Sequence, residues 1–93
     1  MIESPIEEWV CDKAEAAGWL AYKCKWIGRR NAPDRFFAKD GRIVLIEFKN
    51  PDGKARATQE KEIARLREHG VEVHLANNAL TALRILGVSY VPE

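Results

Sequence analysis

Two charged residues interrupt an apolar segment in the middle of the chain. In VLIEFK, residues 44–49, Glu47 and Lys49 lie two positions apart. Side chains two positions apart on a β-strand share a face, so these charges point the same way and Val44, Ile46 and Phe48 point the other way. The segment therefore predicts a strand with one apolar core face and one face that carries a carboxylate and an ammonium group.

The dipeptide Asp40-Gly41 brings a second carboxylate to this charged face. Asp-Gly between two apolar segments favours a two-residue hairpin turn, and counting outward from such a turn places Asp34 opposite Glu47. Opposed carboxylates repel each other unless a cation lies between them, and either Lys49 or a divalent metal such as Mg²⁺ or Mn²⁺ would serve. Two alternatives remain: a three-residue turn would move Asp34 to the other face, and Glu47 with Lys49 would also make an ordinary surface ion pair.

Two polar residues on predicted helices could reach the same site. Glu7 lies three positions after Ser4, as in a capping box, but it also lies at the edge of the apolar stripe of its helix, so capping and metal coordination both remain open. Gln59 shares the inward face of a later helix with Ile63. It would either bond backbone groups at the helix start or orient Lys49, a water or a phosphate.

The hydrophobic periodicity predicts seven elements in one domain spanning residues 1–93. They are a helix over 5–17, strands over 19–26, 34–39 and 42–49, a helix over 58–69, a strand over 71–76 and a helix over 79–86. Gly18, Gly70 and Gly87 are the predicted helix ends, and Asn77 or Asn78 is the predicted cap of the last helix. The order α-β-β-β-α-β-α predicts an α/β fold with a central mixed sheet flanked by helices.

The composition is that of an ordinary globular protein, with a net charge of +1 and 46% hydrophobic residues. No apolar segment reaches the roughly 20 residues of a membrane span, and the acidic N-terminus is unlike a secretory signal. We therefore expect a cytoplasmic protein, or one of the host cytoplasm if it is viral. Cys11 and Cys24, with two histidines, match no zinc-site spacing and are expected to be reduced thiols.

Basic residues concentrate between positions 23 and 39, where the sequence has six lysines and arginines and a single aspartate. Such a block is either a solvated charged face or a surface that binds phosphates. The candidate phosphate-binding residues are Lys25, Arg29, Arg30, Arg35, Lys54 and Arg56.

Pro33-Asp34, followed after twelve residues by Glu47-Phe48-Lys49, resembles the PD-(D/E)xK nuclease signature. With Glu7 before it and Gln59 after it, the chain resembles a stand-alone VRR-NUC domain, of the virus-type replication-repair nuclease family, over residues 3–86. The sequence departs from this family at Asn31, where a glycine is usual. Asparagine tolerates a left-handed backbone better than most residues, so the loop can keep its shape.

The resemblance implies a restriction-endonuclease-like core and Mg²⁺- or Mn²⁺-dependent hydrolysis of phosphodiester bonds in DNA. The implied metal ligands are Asp34, Glu47, the Phe48 backbone carbonyl and Glu7. Lys49 would position or deprotonate the attacking water and screen the scissile phosphate, and Gln59 would complete the catalytic site.

The same resemblance implies branched DNA as the partner, since stand-alone members resemble Holliday-junction resolvases. Symmetric cutting of two opposed strands requires two active sites related by a two-fold axis, so a homodimer is expected. The three tryptophans are candidates for part of its interface. A flap or replication-fork nuclease, a catalytically inactive DNA-binding module and a subunit that needs another partner are the alternatives.

Overall fold

The computed structural model describes residues 5–49 and 57–90, which form four strands and three helices. In chain order these are α1 (Pro5–Ala16), β1 (Leu20–Lys23), β2 (Arg35–Lys39), β3 (Arg42–Phe48), α2 (Ala57–Glu68), β4 (Val73–Ala76) and α3 (Ala79–Leu86). The order α-β-β-β-α-β-α confirms the predicted α/β class.

The strands form one mixed sheet in the order β1-β2-β3-β4. The pairs β1–β2 and β2–β3 are antiparallel, whereas β3 and β4 are parallel. A parallel pair needs a long crossover, and α2 lies in that connection. The predicted mixed sheet is therefore confirmed.

The turn at Asp40-Gly41 has the register that the sequence predicts. Both residues have positive φ, 49° and 83°, as a type I′ hairpin turn requires. Lys39 pairs with Arg42, and the two-residue register continues as far as Arg35 opposite Ile46. The three-residue alternative is thus wrong. Asp34 immediately precedes β2, at the position that this register places opposite Glu47.

The main core lies between one face of the sheet and the helices α1 and α3. Val44 and Ile46 of β3 are fully buried there with Phe37 and Leu83, and Phe48 packs against this cluster. The predicted core side of β3 is therefore confirmed. The same alternation directs Leu45 and Glu47 to the opposite face.

The helix α2 covers the opposite face of the sheet over a smaller apolar cluster. Leu45, Ile63 and Val73 are buried in this cluster, and Trp26 and Leu66 pack against it partly buried. Glu47 lies beside this cluster and is itself buried. The face of β3 that carries Glu47 is therefore covered by α2.

Several element boundaries differ from the predicted ones by one to three residues, and one predicted helix cap falls outside the described residues. The strand predicted over 19–26 ends at Lys23, because its partner strand β2 starts at Arg35. Beyond this last pair, the Cys24 amide donates a hydrogen bond to the Asp34 carbonyl at 3.1 Å. The strand β4 begins two residues later than predicted. The predicted cap Ser4 lies outside the described residues.

The last helix has the predicted bounds and a well-defined cap. Asn78 caps α3, since its side-chain oxygen accepts a hydrogen bond from the Thr81 amide at 2.8 Å. Gly87 ends the helix with φ 67°. Among the described helices, none is long and apolar enough to cross a membrane.

Both cysteines are free thiols. Cys11 is buried on α1, and this burial raises its pKa to about 11. A buried thiol with a high pKa is chemically inert at neutral pH. This position fits the structural thiol that the sequence predicts.

Candidate active site

Asp34, Glu47 and Gln59 line one pocket of about 570 Å³ between the loop after β1 and the first turn of α2. Lys25 and Arg30 also line it. The hairpin register supplies the two carboxylates, and α2 supplies the amide. Three of the predicted catalytic residues thus line the pocket, with basic side chains beside them.

Glu47 is 5% exposed, and the two oxygens of its carboxylate have different contacts. Its Oε2 accepts a hydrogen bond from the Gln59 side chain and lies 3.1 Å from Lys49 Nζ. Its Oε1 is buried and has no hydrogen-bond partner among the described residues. Burial, and then the charge of Asp34, raises the pKa of Glu47 against the opposing effect of Lys49 and Gln59. The positive charge around Glu47 therefore does not fully offset the burial of its carboxylate and the repulsion from Asp34.

Gln59 connects the lysine to the glutamate. Lys49 Nζ donates to Gln59 Oε1, and Gln59 Nε2 donates to Glu47 Oε2. An ammonium can only donate and a carboxylate can only accept, so the amide has one orientation that satisfies both. Of the two predicted roles of Gln59, the contacts match the one in which it orients Lys49.

Among the described residues, the contact that holds the Asp34 side chain is with the backbone. Its Oδ2 accepts a hydrogen bond from the Phe48 amide at 2.7 Å, which ties the carboxylate to the end of β3. Three residues earlier, Asn31 has φ 69°, in the left-handed region. Asparagine therefore adopts a conformation that glycine enters readily, and the departure from the family pattern leaves Asp34 in the pocket.

The residues present fit a hard divalent cation. Among the described residues, no group of three or more histidine, cysteine, aspartate or glutamate side chains could hold a metal ion. However, Mg²⁺ is commonly held by one or two carboxylates together with water and substrate phosphate. Asp34 and Glu47 provide such a pair, and the partnerless Oε1 of Glu47 is an acceptor that a cation would satisfy.

Glu7 and Arg35 lie elsewhere. Arg35 Nε donates to Glu7 Oε1 at 2.6 Å, and both side chains are largely buried. Arg35 is directly opposite Ile46 in the antiparallel register, so it shares the α1 side of the sheet. The structure therefore does not place Glu7 or Arg35 in the pocket for which the sequence suggested them as metal ligand and DNA contact.

The other predicted DNA contacts have different surroundings. Lys25 and Arg30 line the pocket and are exposed. Arg29 also lines it, but its guanidinium is bonded to Glu62. The predicted contacts Lys54 and Arg56 lie outside the described residues.

Glu62 is the residue of this region that sequence reasoning missed. It is 6% exposed, its Oε2 accepts a hydrogen bond from the Trp26 indole at 2.9 Å, and its Oε1 accepts one from Arg29 at 2.7 Å. These bonds with Arg29 lower the pKa of Glu62. The available signal was its position: Glu62 lies between Gln59 and Ile63 on the inward side of α2, and it needs a cationic partner there.

A PD-(D/E)xK nuclease is defined by this combination: two carboxylates brought together by a hairpin, a lysine two positions after the second carboxylate, and a mixed sheet flanked by helices. A solved VRR_NUC domain has the same fold, with a TM-score of 0.80 and 25% identity, over 91% of this chain and 94% of that one. The relative "Putative nuclease p44" of Acyrthosiphon pisum secondary endosymbiont phage 1 is 38% identical over 72 residues, 76% of this chain and 77% of its own length. No family model matches the chain. The chain belongs to the VRR-NUC family of nucleases.

Proposed function

We propose that this nuclease is a metal-dependent endonuclease that hydrolyses phosphodiester bonds in branched DNA, with the four-way Holliday junction as its substrate and a homodimer as its active form. The observation that carries the metal-dependent reaction is Glu47 Oε1, which is buried beside Asp34 with no hydrogen-bond partner among the described residues, in a pocket with basic walls. The preference for four-way junctions rests on the likeness to the family.

Asp34 and Glu47 would hold one or two Mg²⁺ or Mn²⁺ ions, with the Phe48 backbone carbonyl as a further ligand. When bound, the cation lowers the pKa of a water and neutralises charge on the phosphoryl oxygens. The Phe48 amide that bonds to Asp34 keeps this carboxylate oriented. Glu7 supports the site from the other face of the sheet, because it holds Arg35, the residue after Asp34.

Lys49 acts on the attacking water and the scissile phosphate. Its ammonium lies 3.1 Å from Glu47 and bonds to Gln59, so it is held at the carboxylate where the reaction takes place. From there it positions the water and screens negative charge that builds on the phosphate. Gln59 restricts the lysine to this orientation, which reduces the loss of conformational entropy in the transition state.

The basic residues of the pocket bind the DNA backbone. Lys25 and Arg30 are exposed beside the two carboxylates, and contacts of this kind give salt-dependent affinity with little reading of sequence. Selection then depends on DNA shape. Paired cuts across a junction need two such sites with two-fold symmetry, which is the reason for proposing the homodimer.

The tryptophans do not add support for the homodimer. Trp19 is buried in the core, Trp9 packs edge-on against Tyr90 with ring centroids 5.0 Å apart, and Trp26 bonds to Glu62. Each therefore has a role within one chain.

The test is cleavage of labelled four-way junction, flap, fork and plain duplex in Mg²⁺, Mn²⁺ or EDTA. We expect paired cuts in the junction that require metal and that Glu47→Gln and Lys49→Met abolish. The control is Glu68→Gln, which removes one negative charge from the exposed end of α2 and should cut normally.

Each other outcome contradicts a specific part of the proposal. Cutting in EDTA, or full activity of Glu47→Gln, would refute the mechanism. Equal cutting of plain duplex would refute structure specificity, and preferred cutting of flap or fork would replace the junction as substrate. Binding of junction without cutting in either metal would identify an inactive DNA-binding module.

A further inference from the structure

A second pocket, of about 360 Å³, adjoins the catalytic pocket. The two pockets share Arg29, Arg30, Asn31 and Thr58, so they form one continuous groove over the loop and α2. The second pocket adds Lys61, Glu62 and Arg65 from α2. None of the carboxylates proposed to hold metal lines it.

The charge of this second pocket is strongly positive. It is lined by four basic residues, Arg29, Arg30, Lys61 and Arg65, and by one acidic residue, Glu62. Glu62 and Arg29 bond to each other, with Nη2 to Oε1 at 2.7 Å, and so neutralise one another. Beyond this pair, the described lining of the pocket has three exposed cations, Arg30, Lys61 and Arg65, and no further acidic residue, although the charge of Arg65 also acts on Glu62.

The residues that α2 contributes to the second pocket lie on one side of the helix. Thr58, Lys61 and Arg65 follow each other at spacings of three and four, which places them in a row along the helix. The row from Thr58 to Arg65 is about 10 Å long at 1.5 Å per residue. Phosphates of one DNA strand advance about 3.4 Å along the duplex axis per nucleotide, so a row of this length laid parallel to that axis spans about three nucleotides.

We propose that this pocket is a second phosphate-binding site, in which Arg30, Lys61 and Arg65 hold backbone phosphates of the DNA strand next to the scissile phosphate. The inference rests on the proposed DNA cleavage and extends the DNA path from the loop onto α2. Glu62 has a positioning role in it, because it holds Arg29 and Trp26 and thereby keeps the loop at the edge of the groove.

The experiment measures affinity for four-way DNA in EDTA as a function of salt, so that no cutting is required. Each phosphate contact contributes about 0.9 to the slope of log affinity against log salt. Lys61→Ala and Arg65→Ala should each reduce the slope by about one, and the double variant by about two. Arg84→Ala removes the same charge from the exposed surface of α3 and should leave the slope unchanged.

A second measurement locates the contact on the DNA. Single phosphates near the cleavage position are replaced by neutral methylphosphonates. The unmodified protein should lose affinity at one to three positions on one side of the scissile phosphate, and the Lys61→Ala/Arg65→Ala variant should be insensitive at those positions. Lys61→Arg should keep the sensitivity to methylphosphonates that the loss of the Lys61 cation abolishes, because arginine also carries a positive charge.

Failure of this inference is distinguishable from failure of the proposed function. If the unmodified protein cuts DNA with metal but the double variant keeps the full salt slope and the same methylphosphonate profile, the second site is refuted and the nuclease proposal stands. If the unmodified protein neither cuts nor binds DNA, the proposed function fails first, and the second site fails with it.

Discussion

At the scale of single residues, Glu47 carries a charge that the folded protein alone accommodates poorly. Its raised pKa means that the folded state holds this proton more tightly than the unfolded chain does. As the pH rises above the ordinary value of 4.5 and through the higher folded value, the unfolding free energy therefore falls. Such a cost in stability is expected for a buried carboxylate whose function is to bind a cation.

Replacing Glu47 by glutamine should therefore stabilise the metal-free protein at neutral pH. We expect an increase of about 1 kcal/mol in the unfolding free energy, since the variant buries no charge at this position. Thermal denaturation in EDTA between pH 5 and pH 8 measures the difference, which should disappear towards pH 4. Added Mg²⁺ or Mn²⁺ should raise the melting temperature of the unmodified protein only. A metal-induced rise in Glu47→Gln equal to that of the unmodified protein would contradict the assignment.

In the proposed mechanism, Gln59 acts through Lys49 and Glu47, to which it is bonded, rather than on the substrate. Gln59→Ala removes both of its bonds, so we expect the rate of the cutting step to fall about 10- to 100-fold, as for other residues that orient metal ligands. Single-turnover cleavage with enzyme in excess separates this rate from DNA affinity, which should change little. Glu60→Ala, exposed on the same turn, is the control. A loss confined to affinity would assign Gln59 to DNA binding instead.

At the scale of elements, one carboxylate of α2 bonds to two residues of the loop after β1. Glu62 accepts bonds from both Trp26 and Arg29, and Arg30, Asn31 and Asp34 follow in the same loop. The attachment brings the two walls of the pocket together, because Gln59 lies one turn before Glu62 on the same helix. An exposed arginine contributes little to stability by itself, so the consequence should appear in loop position rather than in unfolding.

Glu62→Gln should release the loop and expose the Trp26 indole to water. We expect a red-shifted emission and stronger acrylamide quenching, with the Trp26→Phe spectrum subtracted to isolate this residue. Because the pKa of Glu62 is lowered, the contact is intact above the ordinary value of 4.5 and is lost as the pH falls through the lower folded value. If Glu62→Gln has the same emission as the unmodified protein, both at neutral pH and across this pH range, other contacts hold the loop.

At the scale of the whole molecule, the proposed paired cutting would need two active sites and therefore two chains. If each chain supplies one complete site, a mixture of unmodified protein and Glu47→Gln should form heterodimers that nick one strand of a junction, and paired cuts should fall with the square of the active fraction. Sedimentation at micromolar concentration should give twice the chain mass. A monomer that still makes paired cuts would contradict the homodimer, and so would paired cuts that fall only linearly.

The sequence alone determined the parts of the site that depend on local geometry. The Asp-Gly turn predicts its own backbone conformation, and the strand period of two predicts which face of β3 carries Glu47. These two local rules suffice to place Asp34 and Glu47 in register. The helix period likewise directed Gln59 inward.

Only the tertiary structure decided which charges pair over long distances. Arg29 and Arg35 look alike in the sequence, yet Arg29 bonds to Glu62 on α2 and Arg35 to Glu7 on α1. These partners lie 33 and 28 positions away, so the pairing depends on how the helices dock onto the two faces of the sheet. No local period carries that information, because a long side chain pairs with whichever opposite charge packing brings within reach.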